Sequence, residues 1–141
     1  MTAPPDELVA AARRVHAEAY CPYSGYRVGA ALRTDVGVVA AANVENAAYP
    51  LGTCAEAGAI AAMVALGGRR IEAVVVITDG DRPGVPCGGC RQRLSEFAGD
   101  AAVVHCLVAD APEVLTRTVG DLLPDAFGPA DLGERETDLE M

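Results

Sequence analysis

The pattern of apolar and polar positions in the first third of the chain predicts a helix followed by a β-hairpin. Apolar residues recur at helical spacing through residues 6–20, while charged side chains occupy the other faces. The proline at position 22 should end this helix, because the residue before a proline avoids the helical conformation. Two short apolar runs follow at residues 28–33 and 38–43, with an Asp and a Gly in the gap between them. We therefore expect two antiparallel strands joined by a tight turn.

The middle of the chain contains its most apolar segments and predicts the centre of the fold. Residues 55–66 are apolar nearly all round, so the helix that they predict should be buried. Residues 73–78 form a continuous, largely β-branched run, which is typical of a strand covered on both faces. Residues 89–97 predict another helix and residues 101–108 another strand.

The order of the predicted elements indicates an α/β fold. With a last short helical segment at residues 119–127, the order is α-β-β-α-β-α-β-α. This alternation implies a mixed sheet with helices on both faces. Neither a repeat nor a linker interrupts the sequence, so we expect one domain over residues 1–141, in which residues 131–141 form an acidic, flexible tail.

Composition and charge exclude several classes of protein. The 141 residues are 51% apolar, which excludes intrinsic disorder, and no apolar run approaches the roughly 18 residues of a membrane span. The formal net charge is −9 and the basic residues are scattered, so a nucleic-acid partner is not expected. The first residues do not resemble a secretory signal, and the odd number of cysteines, five, cannot pair completely. We therefore expect a cytoplasmic protein whose thiols bind a metal or react.

Three of the cysteines are placed to hold one zinc ion. Cys87 and Cys90 form a CxxC pair at a predicted helix start, and Cys54 lies at another helix start, 33 residues upstream. Zinc prefers thiolate ligands, and two sulfurs in one helical turn point at one place. Hydrolytic zinc sites have three protein ligands and keep one position for water, so these three cysteines predict an open site.

Glu56 lies two residues after Cys54 and has two possible roles. As a catalytic group, it would take a proton from water activated by the metal and deliver it to a leaving nitrogen. As a structural group, it would complete a capping box with Thr53, by accepting from the Thr53 amide. The nearby Cys54 and the distant CxxC pair favour the catalytic role.

Other roles for the cysteines remain open from the sequence alone. A closed zinc site with Cys21, His105 or Cys106 as fourth ligand would make the chain a zinc-stapled binding module without catalysis. Alternatively, Cys87 and Cys90 would form a redox pair, but this leaves the segment around Cys54 without a purpose. More often such extra cysteines only pack in a core.

Four segments, in the right order, resemble the small, homotetrameric type of cytidine deaminase. The segment that begins Cys54-Ala55-Glu56, together with the run at residues 86–92, is similar to the zinc-binding pattern of that family, with Cys in place of the first His of the broader zinc-deaminase pattern. Residues 22–31, 43–49 and 122–127 resemble its other segments. The resemblance covers essentially residues 5–130.

The resemblance implies a three-layer α/β/α fold, one zinc ion held by the three cysteines, and conversion of cytidine and 2′-deoxycytidine to uridine and 2′-deoxyuridine with release of ammonia. It implies that Glu56 relays protons and also donates to the ring nitrogen beside the reacting carbon. Pyrimidine salvage in the cytoplasm and a homotetramer are implied as well. The positions that match the family's substrate-contacting residues are Asn43 and Glu45 for the ribose 3′-hydroxyl, the Ala47 backbone and Tyr26 for the base, and Phe127 for a neighbouring subunit's pocket.

Elementary physics supports part of this assignment independently. Asn43 and Glu45 are two apart on an extended segment, so their side chains face the same way. An amide and a carboxylate suit a neutral diol, while a carboxylate repels phosphate, so a nucleoside is favoured over a nucleotide. Aromatic residues are scarce, and Tyr26, Tyr49 and Phe127 are candidates to surround a base, although core packing would also explain each of them.

One departure from the family concerns the charge of the zinc site. The family often has Arg directly after the catalytic Glu, where this chain has Ala57. Three thiolates on Zn²⁺ have a net charge of −1, so we expect another positive group to compensate. Arg91, next to Cys90, together with two helix N-termini, is the predicted source.

The alternative substrate is another aminated heterocycle, such as a blasticidin-type nucleoside.

Overall fold

The computed structural model describes residues 2–133 and contains a five-stranded sheet flanked by helices. In chain order the elements are α1 (Asp6–His16), β1 (Val28–Thr34), β2 (Gly37–Ala42), α2 (Ala55–Ala65), β3 (Ile71–Thr78), α3 (Gly88–Phe97), β4 (Ala98–Val108), β5 (Val114–Thr118) and α4 (Val119–Leu122), with 3₁₀ turns at Tyr49–Leu51 and Pro129–Leu132. Most of the predicted acidic tail lies outside the described residues, and Asp131 and Leu132 belong to the second 3₁₀ turn. Among the described residues, none of the helices has the length and apolar character needed to cross a membrane.

The sheet is mixed and is covered by helices on both faces. Its order is β2–β1–β3–β4–β5, and β3 and β4 are parallel while the other neighbours are antiparallel. In β3, Val74 and Val76 pack with α2 and α3 on one face, whereas Val75 and Ile77 pack with α1 on the other. This alternation is the period of two of an extended chain. The predicted α/β class and three-layer arrangement are confirmed.

The first helix ends four residues earlier than predicted because the chain leaves it to pair elsewhere. α1 ends at His16, and Tyr20 forms a bridge to Val44 next to β2. The Tyr20 amide donates to the Asn43 carbonyl at 3.0 Å, and the Glu45 amide donates to the Tyr20 carbonyl at 2.8 Å. These long-range hydrogen bonds outweigh the helical spacing of apolar residues, which continues to residue 20.

The last third of the chain differs most from the predicted order. β5 is absent from the prediction: it is a five-residue edge strand of mixed polarity, which local patterning identifies poorly. The predicted helix at residues 119–127 is confirmed only as α4, because Leu123 precedes Pro124 and has a non-helical conformation. Thr118 and Asp121 form a capping box at the start of α4.

The apolar helix α2 is buried on one face only within a single chain. Glu56, Ala59, Ile60 and Met63 are among the residues that it buries against the sheet, whereas Val64, on the other face, is exposed. The prediction that this helix is buried is therefore confirmed for one face only of the isolated chain. Its remaining apolar face needs another partner to leave water.

Candidate active site

The three cysteine sulfurs meet where the N-termini of α2 and α3 come together. Cys54 precedes α2, Cys87 precedes α3, and Cys90 lies in the first turn of α3. The three sulfurs lie within 4.8 Å of one another, and the Cys54 and Cys87 sulfurs are 3.9 Å apart. Tetrahedral zinc with bonds of about 2.3 Å places its sulfur ligands roughly 3.8 Å apart. The cluster therefore fits one zinc ion, as predicted.

The protonation of these thiols also fits a cation site. Burial raises the pKa of Cys54 and Cys90, while the Cys90 backbone amide lowers the pKa of Cys87 by donating to its sulfur. Ligating sulfurs must be thiolates, and a bound cation displaces their protons. The site therefore needs a metal ion to stabilise three adjacent thiolates.

Among residues 2–133, no fourth His, Cys, Asp or Glu joins this cluster. The ring Nδ1 of His105 is 3.1 Å from the Thr116 hydroxyl, to which it is hydrogen-bonded. Cys106 is fully buried in the core, and burial raises its pKa to about 11. The closed-site alternative therefore finds no support among the described residues.

Glu56 lies in the first turn of α2 and lines the same cavity as Cys54 and Cys87. Its side chain is buried, with only 4% of the residue exposed, and this burial raises the pKa of its carboxyl group above the ordinary value. A hydrogen bond from its own backbone amide and the positive charge of Arg93 lower this pKa, but burial has the larger effect. Thr53 does not cap α2: Cys54 is the N-cap residue, and the Thr53 amide donates to the Val44 carbonyl at 2.8 Å. The capping-box alternative for Glu56 is therefore wrong.

The cavity that opens beside the cysteines measures about 360 Å³. It lies at the carboxyl end of β3, where Val76 and Thr78 form part of its wall, and ligands in α/β folds commonly bind at this edge. Four predicted substrate residues line it: Tyr26, Asn43, Glu45 and Tyr49. Ala47 and Phe127 do not line the cavity within the described chain, and Phe127 is 58% exposed.

Asn43 and Glu45 also fix the loop that precedes β1. The Asn43 side chain accepts from the Val28 amide at 2.9 Å and donates to the Tyr26 carbonyl at 2.9 Å. Glu45 accepts from the Ser24 hydroxyl and from the amides of Tyr23 and Ser24. These hydrogen bonds, chiefly that of the Ser24 hydroxyl, lower the pKa of Glu45, so it is ionised at neutral pH. The sequence did not predict the part played by Ser24.

The predicted role of Arg91 is not supported by its contacts. Its guanidinium donates to the Pro86 carbonyl at 2.7 Å and to the Leu122 carbonyl at 3.1 Å, so it ties α3 to the end of α4. The arginine that reaches a sulfur is Arg93, whose Nη1 donates to Cys90 at 3.8 Å. The error has a physical cause: in a helix, side chains three residues apart share a face and adjacent ones do not. That spacing was the signal that could have identified Arg93.

We predict that Arg91→Ala lowers the free energy of unfolding by about 1–3 kcal/mol, because two buried or half-buried carbonyls lose a charged donor. Chemical denaturation of the metal-free protein would measure the change. Arg14→Ala, which removes an exposed arginine of α1, is the control and should change stability by less than about 0.5 kcal/mol. Equal stability of the two variants would contradict the structural role of Arg91.

Comparison with known proteins gives a consistent result. The family described as "Cytidine and deoxycytidylate deaminase zinc-binding region" matches residues 4–106. A cytidine deaminase from Mycobacterium tuberculosis is 44% identical over 122 residues, covering 86% of this chain and 87% of the relative. A cytidine deaminase from Sporosarcina psychrophila is 38% identical over 128 residues, covering 90% of this chain and 93% of the relative. The crystal structure of cytidine deaminase from Burkholderia pseudomallei superposes with a TM-score of 0.82 at 39% identity, covering 89% of this chain and all of that chain.

Sequence, geometry and comparison thus agree on the family. The matched region includes all three cysteines and Glu56, and the similarity to the solved structure from Burkholderia pseudomallei covers 89% of the chain. The sulfur cluster is of the size that zinc requires, and it opens onto a cavity rather than being closed by a fourth side chain of the described residues. The chain therefore belongs to the cytidine deaminase family and is a zinc-dependent hydrolytic deaminase.

Proposed function

We propose that this chain converts cytidine and 2′-deoxycytidine to uridine and 2′-deoxyuridine by hydrolysis, with release of ammonia. The observation that supports this most strongly is the shared cavity: it is lined by Cys54 and Cys87 of the cysteine cluster, by the buried Glu56, and by Asn43 and Glu45. Its volume of about 360 Å³ lies within the range of small-ligand sites, which begins at roughly 300 Å³.

Cys54, Cys87 and Cys90 would hold the zinc ion, with one position open toward the cavity. When bound, zinc supplies a Lewis acid that makes a water molecule reactive near neutral pH. The protein's own contribution is the geometry: the N-termini of α2 and α3 place positive partial charge next to the thiolates.

Glu56 would move the protons of the reaction. Burial raises its pKa above the ordinary value, so this carboxyl group holds a proton more readily than an exposed glutamate does, as a proton relay requires. In our proposal the carboxylate takes a proton from the attacking water and gives it to the ring nitrogen beside the carbon that bears the amino group. A second proton from the same oxygen, again relayed by Glu56, goes to the amino nitrogen as the C–N bond breaks, so water and the amine become a carbonyl and ammonia.

Asn43 and Glu45 would bind the ribose 3′-hydroxyl, and the Ala47 backbone would contact the base. Asn43 and Glu45 line the cavity, and Glu45 is ionised, so its carboxylate accepts a hydrogen bond from a hydroxyl group and repels a phosphate. Tyr26 and Tyr49 would form aromatic walls for the base. The ring of Tyr49 already meets that of Tyr23 edge to face, with centroids 5.9 Å apart.

A substrate panel tests this function directly. Loss of absorbance would be measured for cytidine, 2′-deoxycytidine, cytosine, cytidine 5′-monophosphate and blasticidin S. The two nucleosides should be the preferred substrates, since cytosine lacks the sugar and the monophosphate meets the charge of Glu45. Faster turnover of blasticidin S than of cytidine would identify the alternative substrate, and no turnover of any compound by the zinc-loaded protein would overturn the proposal.

We further propose that the chain assembles as a homotetramer, with Phe127 reaching a neighbouring subunit's pocket. The exposed part of α2 and the exposed side chains of Leu66 and Phe127 support a second copy of the chain as the partner, because these apolar side chains are open to water in the single chain. Assembly would also exclude water from the open side of the cavity.

We predict that the protein sediments with four times the 14.5 kDa of one chain. Val64→Glu, on the exposed face of α2, should shift the population to smaller species, because a charge would then be buried in the interface. Val36→Glu makes the same change in the turn between β1 and β2 and should leave assembly intact. A fully active monomer would refute the assembly and the role of Phe127.

The proposed reaction fits the salvage of pyrimidine nucleosides in the cytoplasm. In support, all five cysteines are unpaired in the structure, as expected for a protein of a reducing compartment. The net charge of −9 does not suit nucleic acid as a partner.

A further inference from the structure

We propose that Arg93 is a positioning residue that compensates the negative charge of the cysteine cluster and thereby strengthens metal binding and turnover. This inference rests on the zinc site of the proposed function, but it concerns a residue outside the ligand set and the proton relay. Its basis is the position of the guanidinium group, which lies against the first turn of α3 next to the Cys90 sulfur.

The local sequence of α3 allows Arg93 to reach the cluster. Arg93 follows Cys90 by three residues, so both side chains lie on one face of the helix. Nη1 of Arg93 is 3.8 Å from the Cys90 sulfur. A Cβ atom on Gly89 would lie only 3.0 Å from the same Nη1, which is tighter than ordinary van der Waals contact. The glycine at position 89 therefore leaves the space in which the guanidinium group lies.

The contacts of two nearby arginines of α3 separate their roles. The guanidinium group of Arg93 contacts the sulfur of Cys90, which belongs to the cluster. Arg91 does not share this position, because its hydrogen bonds are to the backbone carbonyls of Pro86 and Leu122.

Simple charge arithmetic explains why the cluster benefits from such a group. Three thiolates and one divalent cation have a net charge of −1, and one guanidinium restores neutrality. A donor to a ligating sulfur also withdraws electron density from it, so the bound cation remains a stronger Lewis acid; groups that contact metal ligands commonly change affinity or activity by about 10- to 100-fold. Arg93 is exposed to solvent on one side, so we expect an effect near 10-fold.

The test compares three variants of the zinc-loaded protein. Arg93→Gln removes the charge and keeps a polar side chain, Arg93→Lys keeps the charge, and Arg14→Ala removes a positive charge from α1, on the opposite face of the sheet. Zinc affinity would be measured by competition with a chelator, and kcat and KM with cytidine. Unfolding of the metal-free proteins would show that folding is unchanged.

We expect Arg93→Gln to lower zinc affinity and kcat about 10-fold each, with KM nearly unchanged, and Arg93→Lys and Arg14→Ala to stay close to wild type. The difference between Arg93→Gln and wild type should shrink in 1 M salt, because the Debye length falls to about 3 Å. The inference is overturned if Arg93→Gln matches wild type, or if Arg93→Lys and Arg93→Gln lose zinc affinity equally. Failure of wild type to bind zinc or deaminate a nucleoside would instead overturn the proposed function.

Discussion

Glu56→Gln should lower kcat for cytidine by about 10³-fold or more while the protein keeps its fold and its zinc. The amide has nearly the shape of the carboxyl group but cannot exchange a proton, and general acid–base groups typically contribute 10²- to 10⁴-fold. Because Glu56 serves more than one proton transfer in our proposal, the loss should lie toward the upper part of this range. The measurement is steady-state turnover of cytidine with the zinc content determined in parallel.

The structure offers a matched control for this substitution. Glu72 is an exposed residue near the start of β3, at the opposite end of the strand from Thr78 and the cavity. Glu72→Gln makes the same chemical change and should leave kcat and KM at the wild-type values. If Glu56→Gln retained more than about a tenth of the wild-type kcat, Glu56 would not be the proton carrier. The fold of the variant should be at least as stable as wild type, since the buried acid is replaced by a neutral group.

Cys87→Ala should abolish both zinc binding and activity. Two sulfurs cannot complete the site, and the Cys87 sulfur provides one of the three positions around the ion. Cys87 is a suitable position for this test, because it is exposed and its truncation leaves no hole in the core, whereas Cys90 is fully buried. We expect the metal content to fall from one zinc per chain to less than about 0.1, measured by elemental analysis after gel filtration.

Cys21→Ala is the control for Cys87→Ala. Cys21 is a half-buried thiol and was one candidate for a fourth ligand, but it does not belong to the sulfur cluster. This variant should retain one zinc per chain and full activity. Loss of zinc from it would show that Cys21 is a fourth ligand, which closes the site. Removal of zinc from wild type with a chelator should reproduce the Cys87→Ala phenotype and also lower the melting temperature, because the ion links the N-termini of α2 and α3.

The elements around the metal cluster were the most predictable part of this protein. A β-branched run such as residues 73–78 has few alternatives to a central strand, and β3 indeed has helices on both of its faces. The CxxC pair at a helix start directs two sulfurs to one point through local geometry alone. Cys54 could be added because the chemistry of zinc requires a third ligand. These predictions depend on short-range patterns or on the preferences of an ion, both of which are visible in a linear sequence.

The predictions that were wrong concern residues whose structure depends on partners distant in sequence. Tyr20 leaves the helical path because hydrogen bonds to Asn43 and Glu45 hold it next to β2. β5 exists because β4 presents an open edge to it, and little in residues 114–118 themselves marks a strand. The guanidinium group of Arg91 lies where the carbonyls of Pro86 and Leu122, from two separate segments, accept its hydrogen bonds.

By itself the sequence determined the α/β class and pointed to the three cysteines of the cluster and the acid beside them, because periodicity and ligand spacing act over a few residues. Only the tertiary structure decided which arginine reaches a sulfur of the cluster, that Glu56 is buried rather than capping its helix, and that Asn43 and Glu45 hold the loop that forms one side of the cavity. The physical reason is that side-chain direction and burial are set by long-range packing, so the electrostatics of a site can be known only once its surrounding elements are in place.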